Sequence, residues 1–259
     1  PQDTTKNTLS VPFNDEEALS ELIEKEGENI ACIIVEPVMG NIGCVEPTVK
    51  YLKFLREITE ENGIVLIFDE VITGFRASRG GAQEYYGVTP DLTTLGKIVG
   101  GGLPMGAFCG KKEIMELIAP NGPVYQAGTF SGNPISVQAG ISTLTQLDDA
   151  FYKDLESKGN FLRSEIRATV EERGLEIQPV GLASMLQIYF NENEVYNYED
   201  AKKSDSERFL VYFRHLLKEG VFIPPSQFEC NFISKAHSME DIEKTSQAID
   251  NALLESNRF

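Results

Sequence analysis

Ile64-Val65-Leu66-Ile67-Phe68-Asp69-Glu70 is an unbroken apolar run closed by two carboxylates. A run of this length and composition suits a strand buried on both faces of a parallel sheet, and the charges mark its carboxyl end. Upstream, Tyr51-Leu52-Lys53-Phe54-Leu55-Arg56-Glu57-Ile58 carries Leu52, Leu55 and Ile58 at helical spacing, and Asn62-Gly63 supplies the stop. Before that helix, Ile30-Ala31-Cys32-Ile33-Ile34-Val35 reads as a second strand buried on both faces, ending at Glu36-Pro37. Strand, helix, strand at this spacing is a βαβ unit, and its repetition predicts an α/β fold with a doubly wound, mainly parallel sheet. Working further back, Asn14 reads as the cap of a first helix, with Glu17 as its reciprocal partner and an end near Gly27.

Downstream, Asp91-Leu92-Thr93-Thr94-Leu95 leads into Gly96-Lys97-Ile98-Val99-Gly100-Gly101-Gly102-Leu103-Pro104-Met105-Gly106. Ligands of open α/β sheets gather at the carboxyl ends of the strands. Three polar signals fall there: Glu36-Pro37 with Gly40-Asn41, then Asp69-Glu70, then Lys97. Positions 105–109 read as another strand, 112–118 as a short helix, and 133–147 as a helix opened by Pro134. After Leu147 the texture changes to a long charged helix over 148–173, a strand over 184–190, an acidic polar loop over 191–205, and helices over 206–218 and 238–254. The expected organisation is therefore a sheet domain over 1–147 followed by a small α+β domain over 148–259.

At 259 residues the chain can bury a sizeable core. Its formal charge of −17 repels phosphate backbones and anionic headgroups, so neither nucleic acid nor a membrane surface is an expected partner. The four cysteines form no CxxC or Cys/His cluster, which argues against a disulfide framework and a zinc site. With only two histidines, His215 and His237, a His-centred triad or multi-histidine metal site is nearly excluded, and no metal is expected. No apolar run approaches a membrane span, and the polar start reads as no signal peptide, so the expected location is the cytoplasm. Gly106 to Lys112 falls one residue short of a phosphate loop, and Gly100-Gly101-Gly102 lacks the third glycine of a dinucleotide fingerprint.

The remaining chemistry lies in Asp69 and Lys97, expected one crossover apart on the same sheet. A lysine at a strand end trailed by glycines is expected to be shielded from water and able to attack a carbonyl carbon. A pyridine cofactor needs such a lysine near its aldehyde, and a carboxylate against its ring nitrogen to keep that nitrogen protonated. Taken singly, Lys97 reads more readily as a solvated loop residue, and Asp69 equally as a turn or helix-cap carboxylate.

Ile67-Phe68-Asp69-Glu70-Val71-Ile72-Thr73-Gly74-Phe75-Arg76, together with the Lys97 segment, resembles the class III aminotransferase family of pyridoxal-phosphate enzymes. Three further stretches resemble its aminomutase branch: Glu36-Pro37-Val38-Met39-Gly40-Asn41; Gly80-Gly81-Ala82-Gln83-Glu84-Tyr85-Tyr86-Gly87-Val88-Thr89-Pro90-Asp91; and Tyr125-Gln126-Ala127-Gly128-Thr129-Phe130-Ser131-Gly132-Asn133-Pro134. Ordinary class III transaminases usually differ around Arg76 and Gln126. The resemblance implies a fold-type I transferase, with part of the large cofactor domain over 1–147 and the small C-terminal domain over 148–259. It implies that Lys97 links covalently to pyridoxal 5'-phosphate and shuttles protons, that Asp69 pairs with the ring nitrogen, and that Asn41 contacts the ring. It implies that Thr129 binds the cofactor phosphate of a neighbouring subunit, making a homodimer with shared active sites.

In Ile223-Pro224-Pro225-Ser226-Gln227-Phe228-Glu229, the aminomutase pattern has a glutamate where many transaminases hold an α-carboxylate with arginine; here it is Glu229. The implied small-molecule reaction is conversion of glutamate-1-semialdehyde to 5-aminolevulinate for tetrapyrrole synthesis. It starts from the pyridoxamine 5'-phosphate form and passes through a diamino intermediate. Two alternatives stay open: an omega-type transaminase with an external amino donor, and a non-catalytic fragment. By the same resemblance, the segment that holds the cofactor phosphate within one subunit and the aromatic that stacks on the ring are expected before Pro1.

Overall fold

A computed structural model describes residues 1–257. After a short helix α1 (Gln2–Thr5), helix α2 (Glu16–Glu26) is capped by Asp15, whose carboxylate accepts from the Ala18 amide at 2.9 Å. Asp15 therefore takes the role expected of Asn14. Asn14 instead adopts φ 64°, accepts from the Thr48 amide and donates to the Glu46 and Tyr196 carbonyls. Strand β1 (Cys32–Val35), helix α3 (Tyr51–Glu61) and strand β2 (Val65–Asp69) form the expected βαβ unit. β1 pairs parallel with β2, and β2 pairs parallel with β3 (Leu92–Leu95) after helix α4 (Gly81–Tyr86).

Strand β4 (Ala107–Gly110) runs antiparallel to β3, because the glycine-rich turn between them reverses the chain without a crossover helix. The resulting sheet order is β1-β2-β3-β4. Leu66 and Phe68 point to one face and pack with Leu19, Ile23, Leu52 and Leu55 from α2 and α3. The opposite face is less covered: Cys32 and Ile34 of β1 are exposed, Ile34 at 60%. The expectation that β1 is buried on both faces is corrected here, since helices pack against only one face of this edge strand.

The chain continues through α5 (Lys112–Met115), α6 (Pro134–Leu144) and α7 (Asp149–Arg173), with Asn133 and Asp148 capping the last two. A second sheet, β5-β6-β7, is antiparallel and built from Gln178–Val180, Met185–Tyr189 and Asn231–Phe232. Short α8 (Tyr198–Ala201) lies inside the segment expected to be loop, and α10 (Met239–Asn257) packs against both α9 (Ser206–Lys218) and α7. Leu162, Ile166, Leu186, Ile188, Leu216, Ile249 and Leu253 make the core of this part.

Tyr189 is one of the side chains that tie the two parts. The Tyr189 hydroxyl donates to the Ile42 carbonyl at 2.5 Å and accepts from the Cys44 amide at 3.2 Å. Gly43, at φ 112°, is required beneath it, because a Cβ there would stand 2.0 Å from the hydroxyl oxygen.

Asp91, only 5% exposed, holds the start of β3 to its neighbours. Its carboxylate accepts from the Leu66 amide at 2.7 Å and pairs with Arg56 at 3.0 Å and Lys111 at 2.6 Å. Burial pushes this carboxyl up, but Lys111, the Leu66 amide and Arg56 together outweigh burial and hold it below its usual value of 3.8. A depressed carboxyl stabilises the fold fully above its unfolded pKa and loses that contribution as pH falls through the folded value. Asp91→Ala is therefore expected to cost about 2–4 kcal/mol at neutral pH. Thermal denaturation as a function of pH checks this: the gap between wild type and variant should be largest at neutral pH and shrink below about pH 4.

Candidate active site

The parallel pairing of β2 and β3 puts Asp69 opposite Thr94, and Lys97 follows at the same carboxyl end. Neighbouring strands lie about 4.8 Å apart, so the two segments that carry the charges are adjacent. Asp69 is half-buried. Its Oδ1 accepts from the Val71 amide at 3.0 Å and the Thr94 hydroxyl at 3.3 Å, while Oδ2 has no partner among the described residues. These bonds fix the carboxylate and leave one oxygen free to accept a proton donor.

Adjacent residues of a strand point to opposite faces, and Glu70 shows the consequence. It turns away from Asp69, is almost fully buried, and accepts from the Ala82 amide at 2.6 Å, the Gln83 amide and side chain at 3.0 Å each, and the Thr73 hydroxyl at 3.1 Å. Glu70 therefore closes the start of α4, and Asp69 alone faces the strand ends.

Lys97 has φ 49°, a conformation that costs a non-glycine residue roughly 1–3 kcal/mol. Such strain persists only where the surroundings enforce it, and here the enforcing contact is α6. Gly101, at φ 57°, presses against the Ala139 carbonyl, where a Cβ would stand 2.3 Å away. Gly140 of α6 meets the Val99 carbonyl equally closely. The glycines after Lys97 thus let a helix seat directly on the turn that presents the lysine.

The shielding expected of Lys97 is not supplied by the described residues. The side chain is exposed at the rim of an open depression of about 660 Å³ bounded by Gly101, Gly102, Leu103, Pro104 and Thr143. Two residues of that wall, Gly101 and Gly102, bring no side chain to cover an amine.

Asn41 lies at the end of the neighbouring β1 on an exposed turn. Glu36 holds that turn by accepting from the Gly40 amide and the Asn41 side chain, both at 2.9 Å. Glu36, Asp69 and Lys97 thus mark the ends of three successive parallel strands.

Thr129 and Glu229 are not brought to this place. Thr129 is exposed in a turn whose following residues, Phe130 to Asn133, flank Met105 and Gly106. Glu229 is exposed before β7, and neither residue lines the Lys97 depression. Two residues that the spacing did not single out, Arg76 and Ser184, meet at the junction behind Ile98. Among the described residues, no group of three or more His, Cys, Asp or Glu could hold a metal ion, and no helix is long and apolar enough to cross a membrane.

A primary amine and a carboxylate with a free oxygen on adjacent strand ends are the two groups that a substituted pyridine aldehyde would engage, at its aldehyde carbon and its ring nitrogen, although Asp69 does not itself line the Lys97 depression. The comparisons agree with that chemistry. The family model for class III aminotransferases matches residues 3–251. Glutamate-1-semialdehyde 2,1-aminomutase of Methanobrevibacter smithii is 76% identical over 98% of this chain and 60% of its own length. The protein of that name from Methanothermobacter thermautotrophicus is 64% identical over the same shares. The chain thus spans about 60% of the length of these curated relatives. Among solved structures, an omega-transaminase from Sphaerobacter thermophilus superposes with a TM-score of 0.92 at 34% identity, covering 99% of this chain and 59% of that one. A glutamate-1-semialdehyde aminomutase variant from Pseudomonas aeruginosa, in complex with PMP, superposes with a TM-score of 0.83 at 25% identity, covering 95% and 56%.

Proposed function

Since the chain belongs to the class III aminotransferase family, we propose that it forms the C-terminal part of a pyridoxal-phosphate aminomutase that converts glutamate-1-semialdehyde to 5-aminolevulinate. The observation that carries this reading is the juxtaposition of Asp69 and Lys97 on parallel neighbouring strands, in a chain 76% identical to a protein of that activity's name. Pyridoxal phosphate, when bound, supplies an electron sink that weakens the C–H bond beside a substrate nitrogen. Asp69 holds the ring-nitrogen proton with its free Oδ2. Lys97 would hold the aldehyde form of the cofactor and, when the cofactor carries the amine, would move a proton between cofactor and substrate carbons. Asn41 orients the ring from the third strand end.

Glu229, which lies outside the Lys97 depression in this chain, is given the substrate end by the resemblance alone. A carboxylate there repels an α-carboxylate and tolerates the aldehyde end of a semialdehyde, which separates a mutase from a transaminase that uses ordinary α-amino acids. Thr129, exposed on its turn, meets the cofactor phosphate of a second copy, so the working unit is a cytoplasmic homodimer with shared sites. Residues 1–147 belong to the cofactor domain and 148–259 form the small domain.

The omega-transaminase reading is favoured by the TM-score of 0.92 with the Sphaerobacter structure. The two readings differ in their need for an outside partner. A protein carrying this chain within the full length of its relatives, loaded with pyridoxamine phosphate, is expected to make 5-aminolevulinate from glutamate-1-semialdehyde with no added amino donor. Excess 2-oxoglutarate should convert little of its cofactor to the aldehyde form. Stoichiometric conversion by the keto acid, read from the absorbance spectrum, would establish the transaminase instead. Absence of both reactions would favour a non-catalytic role.

A further inference from the structure

Behind the Lys97 turn lies a cavity of about 230 Å³ where the two parts of the chain meet. It shares Ile98 and Thr143 with the Lys97 depression as a common wall. In a chain of net charge −17, its lining holds two cations, Arg76 and Lys235, and no carboxylate.

The Arg76 guanidinium sits 4.3 Å over the Phe232 ring and has no hydrogen bond or ion pair among the described residues. Burial lowers its pKa, a sign that its charge is incompletely compensated. Lys235 is bound to Asp154 at 2.9 Å, but the same carboxylate oxygen is also held by Lys158 at 2.7 Å, so this cluster keeps a net positive charge. Ser184, another residue of the lining, is 1% exposed, and its hydroxyl has no hydrogen-bond partner among the described residues. Buried hydroxyls are almost always paired, so an orphan one that lines a cavity marks a place for an acceptor.

The backbone is shaped around the same point. Phe75 and Ala183, which immediately precede Arg76 and Ser184, have φ 58° and 47°, and Lys97, immediately before Ile98, has φ 49°. Among the described residues, three of the four non-glycine residues with positive φ thus flank residues that line one cavity.

We propose that this junction is a binding subsite for a short-chain carboxylate, with Arg76 taking the carboxylate oxygens, the Ser184 hydroxyl donating to one of them, and Leu147, Phe151 and Ile233 receiving the alkyl tail. A guanidinium presents paired N–H donors that match a carboxylate, and the orphan hydroxyl supplies a further donor. The apolar wall distinguishes a carboxylic acid from phosphate, which has no tail to place there. The volume equals about eight waters, enough for an acid the size of propionate. Occupancy would fix the wall behind Lys97, and the site stands independently of the aminomutase reading because nothing in it requires the cofactor.

The probe is sodium propionate, titrated into the ¹⁵N-labelled chain at constant ionic strength while the amide signals of Ile98 and Ile233 are followed. The expected result is a saturable shift of both. Ser184→Ala should weaken it roughly tenfold, and Arg76→Lys, which keeps the charge but loses the paired donors, should weaken it further. Without propionate, Ser184→Ala should leave Tm unchanged or raised, since it removes an unpaired hydroxyl; this separates ligand loss from misfolding. A non-saturable response, a response to phosphate as strong as to propionate, or unchanged affinity in both variants would overturn the proposal.

Discussion

Lys97→Ala is expected to abolish turnover, by at least about 10³-fold, while leaving the fold in place. The first half of that expectation follows from chemistry. Alanine can neither bind an aldehyde carbon nor carry a proton between carbons, and no second lysine lines the same depression. The second half follows from packing. The lysine side chain is exposed and makes no hydrogen bond or ion pair among the described residues, and the strain at φ 49° is carried by the backbone whichever L-residue stands there. Lys97→Arg, which keeps the charge and removes the nucleophile, should lose as much. Turnover is read in a protein that carries the chain within the full length of its relatives, and Tm in the chain itself. Near-normal turnover in either variant would contradict the role given to Lys97.

Asp69→Asn is the second large effect, and it should separate binding from chemistry. The amide oxygen can still accept from the Val71 amide, so local geometry survives; what is lost is the negative charge that holds a proton on the ring nitrogen. Removing one such electrostatic partner costs about 10²–10³ in kcat. Covalent capture of the aldehyde at Lys97 should persist, because it does not need the ring nitrogen protonated. Loss of capture together with activity would mean that Asp69 holds the turn rather than the cofactor. The neighbouring Glu70 is the contrast: its four hydrogen bonds secure α4 and the loop before it, and its side chain faces away from the strand ends.

The βαβ unit and the placement of Asp69 and Lys97 at neighbouring strand ends were legible because a buried parallel strand is written as a continuous apolar run, and its carboxyl end as the first charge after it. The same rule could not tell Asp69 from Glu70, since both follow Phe68; only the strand's alternation and the position of α4 decide between them. It also overstated the burial of β1, where the sequence carries the apolar residues for two faces and the described residues cover one. Asn14 and Asp15 compete for one cap, and the contacts of Asn14 with Glu46, Thr48 and Tyr196, all distant in sequence, give the cap to Asp15.

Thr129 and Glu229 came from resemblance alone. Neither has a spacing signal, and both stand exposed outside the Lys97 depression. Arg76 and Ser184 had no signal as a pair, because their meeting depends on how the second sheet docks behind the Lys97 turn. An unpaired guanidinium and an unpaired hydroxyl are visible only once every partner has been placed.

The most direct test of the central claim is to incubate the chain with pyridoxal phosphate, reduce with borohydride, and map the adduct by peptide mass analysis. A single adduct at Lys97, absent in Lys97→Ala and retained in Asp69→Asn, is the predicted result. Labelling scattered over exposed lysines, with Lys97 no more reactive than Lys112 or Lys244, would contradict it.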